Sequence, residues 1–168
     1  MTNETLVRKA QAGDVPSREA LARRWLSRVY GAALAQMRNA ADADDLAQEA
    51  FLRAFRSLRT LKDPARFGPW LLQIVRNAAR DRYRRPTPPT ALGDATERLA
   101  GETGSEPSGD AVRAWRALPG DERLVTWLKV MDGLRFHDIA ELMGTSKSAA
   151  FRTFRKGLAR LRKELSRC

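Results

Sequence analysis

Apolar residues recur at steps of three and four through most of the chain, and strict strand-like alternation is absent. Leu21, Trp25, Val29, Ala33 and Met37, joined by Leu26, Tyr30 and Leu34, form one amphipathic stripe. The spacing predicts a second helix starting at Asp42, whose side chain caps free amides while Asp44 and Asp45 complement the helix dipole. It runs through Leu46, Ala50, Phe51, Phe55 and Leu58, and the segment 60–69 breaks it. A third helix follows from about Pro69, a residue tolerated in a first turn, through Trp70, Leu71, Ile74, Val75 and Ala78 to Arg85. Residues 3–12, closed by Gly13, add a short leading helix. Further on, 111–118 and 122–131 read as helices separated by Pro119, Gly120 and Asp121. Residues 136–143 form a short helix, 144–146 a tight turn in which Gly144 takes positive φ, and Lys147 opens a longer helix. Ala140, four residues before that glycine, lets two helices cross closely. The layout is a helix-turn-helix, and the chain as a whole reads as all-α.

Between these helical blocks the helix formers disappear. Pro86, Pro88, Pro89 and Pro107, with glycines between 93 and 109, mark a linker. The expected organisation is a domain over 1–86, a flexible acidic Pro/Gly-rich linker over 87–110 and a second domain over 111–168. A flexible coil of about 24 residues averages roughly 25 to 30 Å end to end and stretches to about 80 Å, so it tethers without fixing an orientation.

The 168 residues carry 31 Lys plus Arg against 20 Asp plus Glu, a net charge of +11, which favours polyanionic partners. Two basic blocks flank one acidic strip. No run of apolar residues is long enough to span a membrane, and the N-terminus lacks a basic start followed by an apolar stretch. A cytoplasmic protein without membrane insertion is expected. The single cysteine, Cys168, allows neither an intramolecular disulfide nor a cysteine-based zinc site.

Phosphate-binding loops, nucleophile elbows and zinc-protease motifs are absent, so neither a cofactor nor a small-molecule substrate is expected. His137 lies on the outer side of a helix without a Cys or acidic pair. Asp42, Asp44, Asp45 and Glu49 can be read as magnesium ligands for phosphodiester cleavage or as first-turn capping; capping explains them better, because Asp44 and Asp45 cannot point the same way. Arg76, Arg80 and Arg84 recur every four residues and line one helix face, with Asn77, Asp81 and Arg85 beside them. That face either meets DNA, arginines on phosphates and Asn77 on a base edge, or is a solvated face with an Asp81 to Arg85 pair. From Lys147 to the end, eight basic residues stand against Glu164. Lys147 and Ser148 lie at the start of this helix, and Phe151, Arg152 and Arg155 on the side that enters a major groove. Phe154, Leu158 and Leu161 face home, and Trp115 and Trp127 read as core.

Three segments, DADDLAQEAFLRAFRSL, RFGPWLLQIVRNAARDRYRR and LPGDERLVTWLKVMDGLRFHDIAELMGTSKSAAFRTFRKGLARLRKEL, resemble in order and spacing the bacterial extracytoplasmic-function (group IV, sigma-70 family) RNA polymerase sigma factors. The resemblance implies two small helical domains, a sigma-2 bundle and a sigma-4 helix-turn-helix, in an initiation factor that is not itself an enzyme. It implies that Asp45, Gln48, Glu49 and Arg53 dock on the clamp of the largest subunit of core RNA polymerase. The loop 60–69 with Trp70, Asn77, Arg80 and Arg84 is implied to bind the minus-ten element of promoter DNA and hold flipped bases. Arg152, Thr153 and Arg155, with Lys147 and Ser148, match the minus-thirty-five reading helix, where Phe151 either meets a thymine methyl or fills space beside Ala150. Family habit adds an anti-sigma factor as a partner. The acidic strip, Asp94, Glu97, Glu102, Glu106 and Asp110, is expected to lie in the basic RNA path of the polymerase. The alternatives are a stand-alone helix-turn-helix regulator acting as a dimer on a palindrome, and a sigma mimic that binds an anti-sigma factor.

Overall fold

A computed structural model of the chain describes residues 1–37, 39–84 and 109–167, and the expected linker therefore falls almost wholly outside the described residues. These residues form eight α-helices and two 3-10 turns: α1 (Asn3–Gln11), α2 (Val15–Gln36), α3 (Ala40–Ser57), turns at Leu58–Thr60 and Pro64–Arg66, α4 (Phe67–Arg84), α5 (Asp110–Arg116), α6 (Gly120–Val130), α7 (Phe136–Met143) and α8 (Lys147–Leu165). The all-α reading holds for them.

Local chemistry explains the boundaries. Asp14, in extended conformation, accepts from the Ser17 amide at 2.9 Å and starts α2, with proline in the first turn. Hydrogen bonds from Ser17 hold the Asp14 carboxyl below its ordinary value. Helix α3 starts earlier than expected. Its cap is Asn39, whose side chain accepts from the Asp42 amide at 2.8 Å, so Asp42 is a first-turn residue and not the cap. Two helix-forming alanines after Asn39 extend the helix backward. Helix α4 likewise begins at Phe67, because the Pro64–Arg66 turn runs straight into it and Pro69 falls where no intrahelical donor is required. Asp110, expected in the linker, opens α5 and pairs with Arg113. Gly144 takes φ 64° and ψ 38° and ends α7, as the turn reading requires, and Ser146 caps α8 by accepting from the Ala149 amide at 3.1 Å.

Helices α1 to α4 pack around Leu21, Val29, Leu46, Leu58, Phe67, Leu71, Leu72 and Val75, all nearly devoid of solvent exposure. The α2 stripe is buried as read, except Tyr30, which is half-buried, and Leu26, which is 55 % exposed. At 100° per residue Leu26 lies about 40° from Tyr30 and about 60° from Val29, inside the arc, so its exposure does not follow from its angle on the stripe. Helices α5 to α8 close over Leu124, Val125, Leu128, Ile139 and Ala140. Ala150 and Gly157 are the buried residues of α8, while Phe154, Leu158 and Leu161 are only half-buried. Gly157 lets α8 approach α6: a Cβ there would lie 3.1 Å from Thr126 Oγ1.

The two groups of helices touch. Their buried apolar residues form one continuous cluster, with α6 lying on α2 and α7 on the start of α4. Side-chain packing holds their orientation in this structure.

Candidate nucleic-acid interface

On α4, Trp70, Asn77, Arg80 and Arg84 fall within an arc of about 80° at 100° per residue. Asn77, Arg80 and Arg84 are exposed, whereas Trp70 is half-buried with its ring 6.0 Å from that of Phe67. Gln73 Nε2 donates to Asn77 Oδ1 at 3.0 Å, and the Asn77 amide nitrogen supplies a further donor on this exposed face. Arg76 lies at the edge of the arc, half-buried. Among the described residues no carboxylate forms an ion pair with Arg76, Arg80 or Arg84. The Asp81 carboxylate accepts from Arg53 on α3 at 2.7 Å, and the Asp81 to Arg85 reading falls outside the described residues with Arg85.

That pair belongs to a network clamping α3 to α4. Arg53 Nη2 donates to Glu49 at 2.6 Å and Arg82 Nε donates to Glu49 at 3.0 Å. Burial pushes the Glu49 carboxyl up, but the hydrogen bonds from Arg82 and Arg53 outweigh it and hold it below its ordinary value of 4.5. Asp81, opposed by burial, raises the already high pKa of Arg53. Of the four residues matched to polymerase docking, Asp45 and Gln48 are thus exposed, and Glu49 and Arg53 are half-buried in ion pairs. Leu52, 59 % exposed, sits at the centre of the same face. Sequence reading missed it, although its place seven residues after Asp45 was the available signal.

A second missed residue supports the loop before α4. Gln11 Nε2 donates to the carbonyls of Leu58 and Leu61 at 3.0 and 2.8 Å, and Arg59 Nε returns a bond to the Gln11 carbonyl at 3.3 Å. These bonds pin the 3-10 turn to α1 and fix the entry to the segment 60–69.

On α8, Lys147, Ser148, Phe151, Arg152 and Arg155 are exposed within an arc of about 140°. Thr153 lies about 100° beyond its edge, half-buried, with its hydroxyl donating to the Ala149 carbonyl at 3.0 Å. Phe151 is 44 % exposed and packs edge-on against Phe136, ring centroids 5.2 Å apart, with the Arg155 guanidinium 6.0 Å over its ring. It therefore joins α8 to α7 and still presents a ring to solvent. His137 is exposed.

The family described as Sigma-70 region 2 matches residues 21–87. The chain is 35 % identical over 153 residues to the RNA polymerase sigma factor CarQ of Myxococcus xanthus, covering 88 % of each chain. It is 30 % identical over 175 residues to the ECF RNA polymerase sigma-E factor of Escherichia coli K12, covering 90 % of each. The chain belongs to the extracytoplasmic-function RNA polymerase sigma factors. It is also 36 % identical over 149 residues to the probable RNA polymerase sigma factor RfaY of Xanthomonas campestris, where 82 % of this chain spans 37 % of that relative's length. Among solved structures, CnrH in complex with the cytosolic domain of CnrY shares the fold with a TM-score of 0.68 at 23 % identity, covering 98 % of this chain and 97 % of CnrH. RpoE of Bartonella quintana, in complex with the anti-sigma factor NepR, shares it with a TM-score of 0.61 at 18 % identity, covering 88 % of this chain and 98 % of RpoE. As a sigma factor the chain is a transcription initiation factor of RNA polymerase. No described helix is long and apolar enough to cross a membrane.

Proposed function

We propose that this sigma factor docks on core RNA polymerase through the α3 face of Asp45, Gln48, Glu49 and Arg53, extended by Leu52, and reads promoter DNA with two separate helices. Trp70, Asn77, Arg80 and Arg84 on α4 take the minus-ten element. Lys147, Ser148, Phe151, Arg152 and Arg155 on α8 take the minus-thirty-five element, with Thr153 supporting the helix from its inner flank. The proposed domain bounds are 1–86 and 111–168, joined by 87–110.

The observation that carries the reading is how the cations are used. Arg53 of α3 and Arg82 of α4 are held by carboxylates, whereas Arg80, Arg84 and Arg152 project from two helices with no ionic partner among the described residues. A charge left unpaired on a helix face is available for phosphate or a guanine edge. The chain contributes no catalytic step: strand opening follows from capture of flipped bases, at a cost of a few kcal/mol per base. A silencing protein partner and action in the cytoplasm belong to the same proposal.

Run-off transcription with core polymerase tests it. The wild-type chain directs initiation at a defined start site, and Arg80→Ala or Arg152→Ala lowers initiation while core association is retained. Initiation that does not depend on the chain, or loss of core binding in both variants, overturns the assignment.

A further inference from the structure

We propose that the cleft between the end of α4 and the start of α6 binds a small polyanion of linked phosphates, an inorganic oligophosphate or the phosphate tail of a nucleotide. The site stands on its own residues; only its consequence for DNA rests on the minus-ten assignment above. The open cleft has a volume of about 430 Å³. That lies within the roughly 300 to 1,000 Å³ of small-molecule sites. One wall is the cationic edge of α4, Arg76, Arg80 and Arg84, and the remainder is Gln36, Tyr83 and Asp121. Contact with a DNA backbone requires only an exposed edge, whereas a second wall makes the space a pocket for something small.

The charge inside it is unbalanced. Three guanidiniums share the cleft with one carboxylate, and among the described residues Asp121 forms an ion pair with none of them. Asp121 lies in the first turn of α6, whose N-terminus has no side-chain cap, so that helix end adds positive potential at the same rim. The negative end of α2 is already satisfied: the Tyr83 hydroxyl donates to the Gln36 carbonyl at 2.6 Å, and Arg123 donates to the Ala35 carbonyl. Arg123 is a fourth cation beside Tyr83. Its Nε is buried without a hydrogen-bond partner, no carboxylate among the described residues pairs with it, and burial holds its pKa below the ordinary arginine value.

A single phosphate group carries at most about two negative charges and leaves such a wall under-neutralised, whereas linked phosphates match it. The cleft is also formed in advance. Trp127 of α6 fills the gap where a Cβ at Gly31 of α2 would stand, and its Nε1 donates to the Ser27 carbonyl at 3.2 Å, which holds the second wall in place before a ligand arrives. An occupant engages the arginines that the minus-ten assignment gives to promoter DNA, so ligand and promoter compete for one edge of α4.

The test is calorimetric titration of the full chain with orthophosphate, pyrophosphate and tripolyphosphate at fixed ionic strength and without magnesium. Affinity is expected to rise along that series, and Arg84→Ala should weaken tripolyphosphate about tenfold, the loss of one charge-assisted contact. Asp121→Asn removes the opposing carboxylate and should tighten binding about threefold. Glu4→Gln deletes the same charge from an exposed position on α1 and should leave affinity at the wild-type value. Equal affinity for all three probes, an unchanged affinity in Arg84→Ala, or equal tightening in Asp121→Asn and Glu4→Gln overturns the proposal, because the chain then attracts anions by net charge alone. Adenosine triphosphate distinguishes the sources: tighter binding than tripolyphosphate assigns the cleft to nucleotides, and equal or weaker binding to inorganic chains. Run-off transcription with core polymerase separates this from the sigma-factor reading: a wild-type chain that never directs initiation defeats that reading, whatever the titrations show.

Discussion

Helices α4 and α8 are nearly equal in length, basic, and proposed to read DNA, yet they are held in opposite ways. Helix α4 buries Phe67, Gly68, Leu71, Leu72, Val75, Ala78 and Ala79, more than a third of its residues, and is clamped to α3 through Arg82 and Asp81. Helix α8 buries only Ala150 and Gly157 and rests on α6 and α7 through half-buried aromatic and aliphatic side chains. One helix is a beam of the fold that also carries cations; the other is almost all surface. Substitutions should therefore separate along that line, with scaffold effects dominating in α4 and binding effects in α8.

The largest effect is expected from Leu71→Ala, which hollows the fully buried side of α4 and should cost about 2 to 5 kcal/mol in urea unfolding. A small loss would mean that α4 is no more load-carrying than α8. Next is Arg152→Ala: about 1 to 3 kcal/mol of promoter binding by the polymerase complex should be lost with the thermal midpoint unchanged, seen by footprinting and by melting. Ser146→Ala removes the cap of α8 and should lower stability by about 1 kcal/mol, measured by denaturant titration. The smallest effect is at Glu49. Its carboxyl lies below its ordinary value in the folded chain, so the ionised pair stabilises above about pH 4.5, and that contribution is lost as pH falls through the lower folded value. Glu49→Gln should cost about 1 kcal/mol or less at neutral pH and flatten the acid limb of a stability profile, while the same profile for Ser146→Ala keeps the wild-type shape.

How much of this was legible in the residues also differs between regions. The turn before α8 was fully readable, because Gly144, Thr145 and Ser146 state their backbone preferences locally. The start of α3 was not, since Asn39 and three aspartates all offer a capping oxygen and only the backbone decides among them. Placing Leu26 in the core failed for a different reason: its angle fits the stripe, but helical angle alone does not say which positions along a long helix a neighbour covers. The proposed reading residues were singled out by charge, helical spacing and the family resemblance, Trp70 and Thr153 by the resemblance alone. The partners of Arg53, by contrast, lie on two helices, and pairing with Asp81 on α4 is invisible to any local pattern. Least legible was the fit of Trp127 to Gly31. Both residues had ordinary local readings, a core tryptophan and a helical glycine, and only their distance in space reveals the match.

The missing side chain at Gly157 has an effect beyond close packing. With Thr126 and Glu122 close to where a Cβ would stand, α8 lies tight on α6 at this point, and the compass bearing of its arginines is tied to the body beneath. One methyl at that pivot would make the seam give by a few tenths of an ångström and tilt the cationic edge slightly, a change in aim with no change in charge.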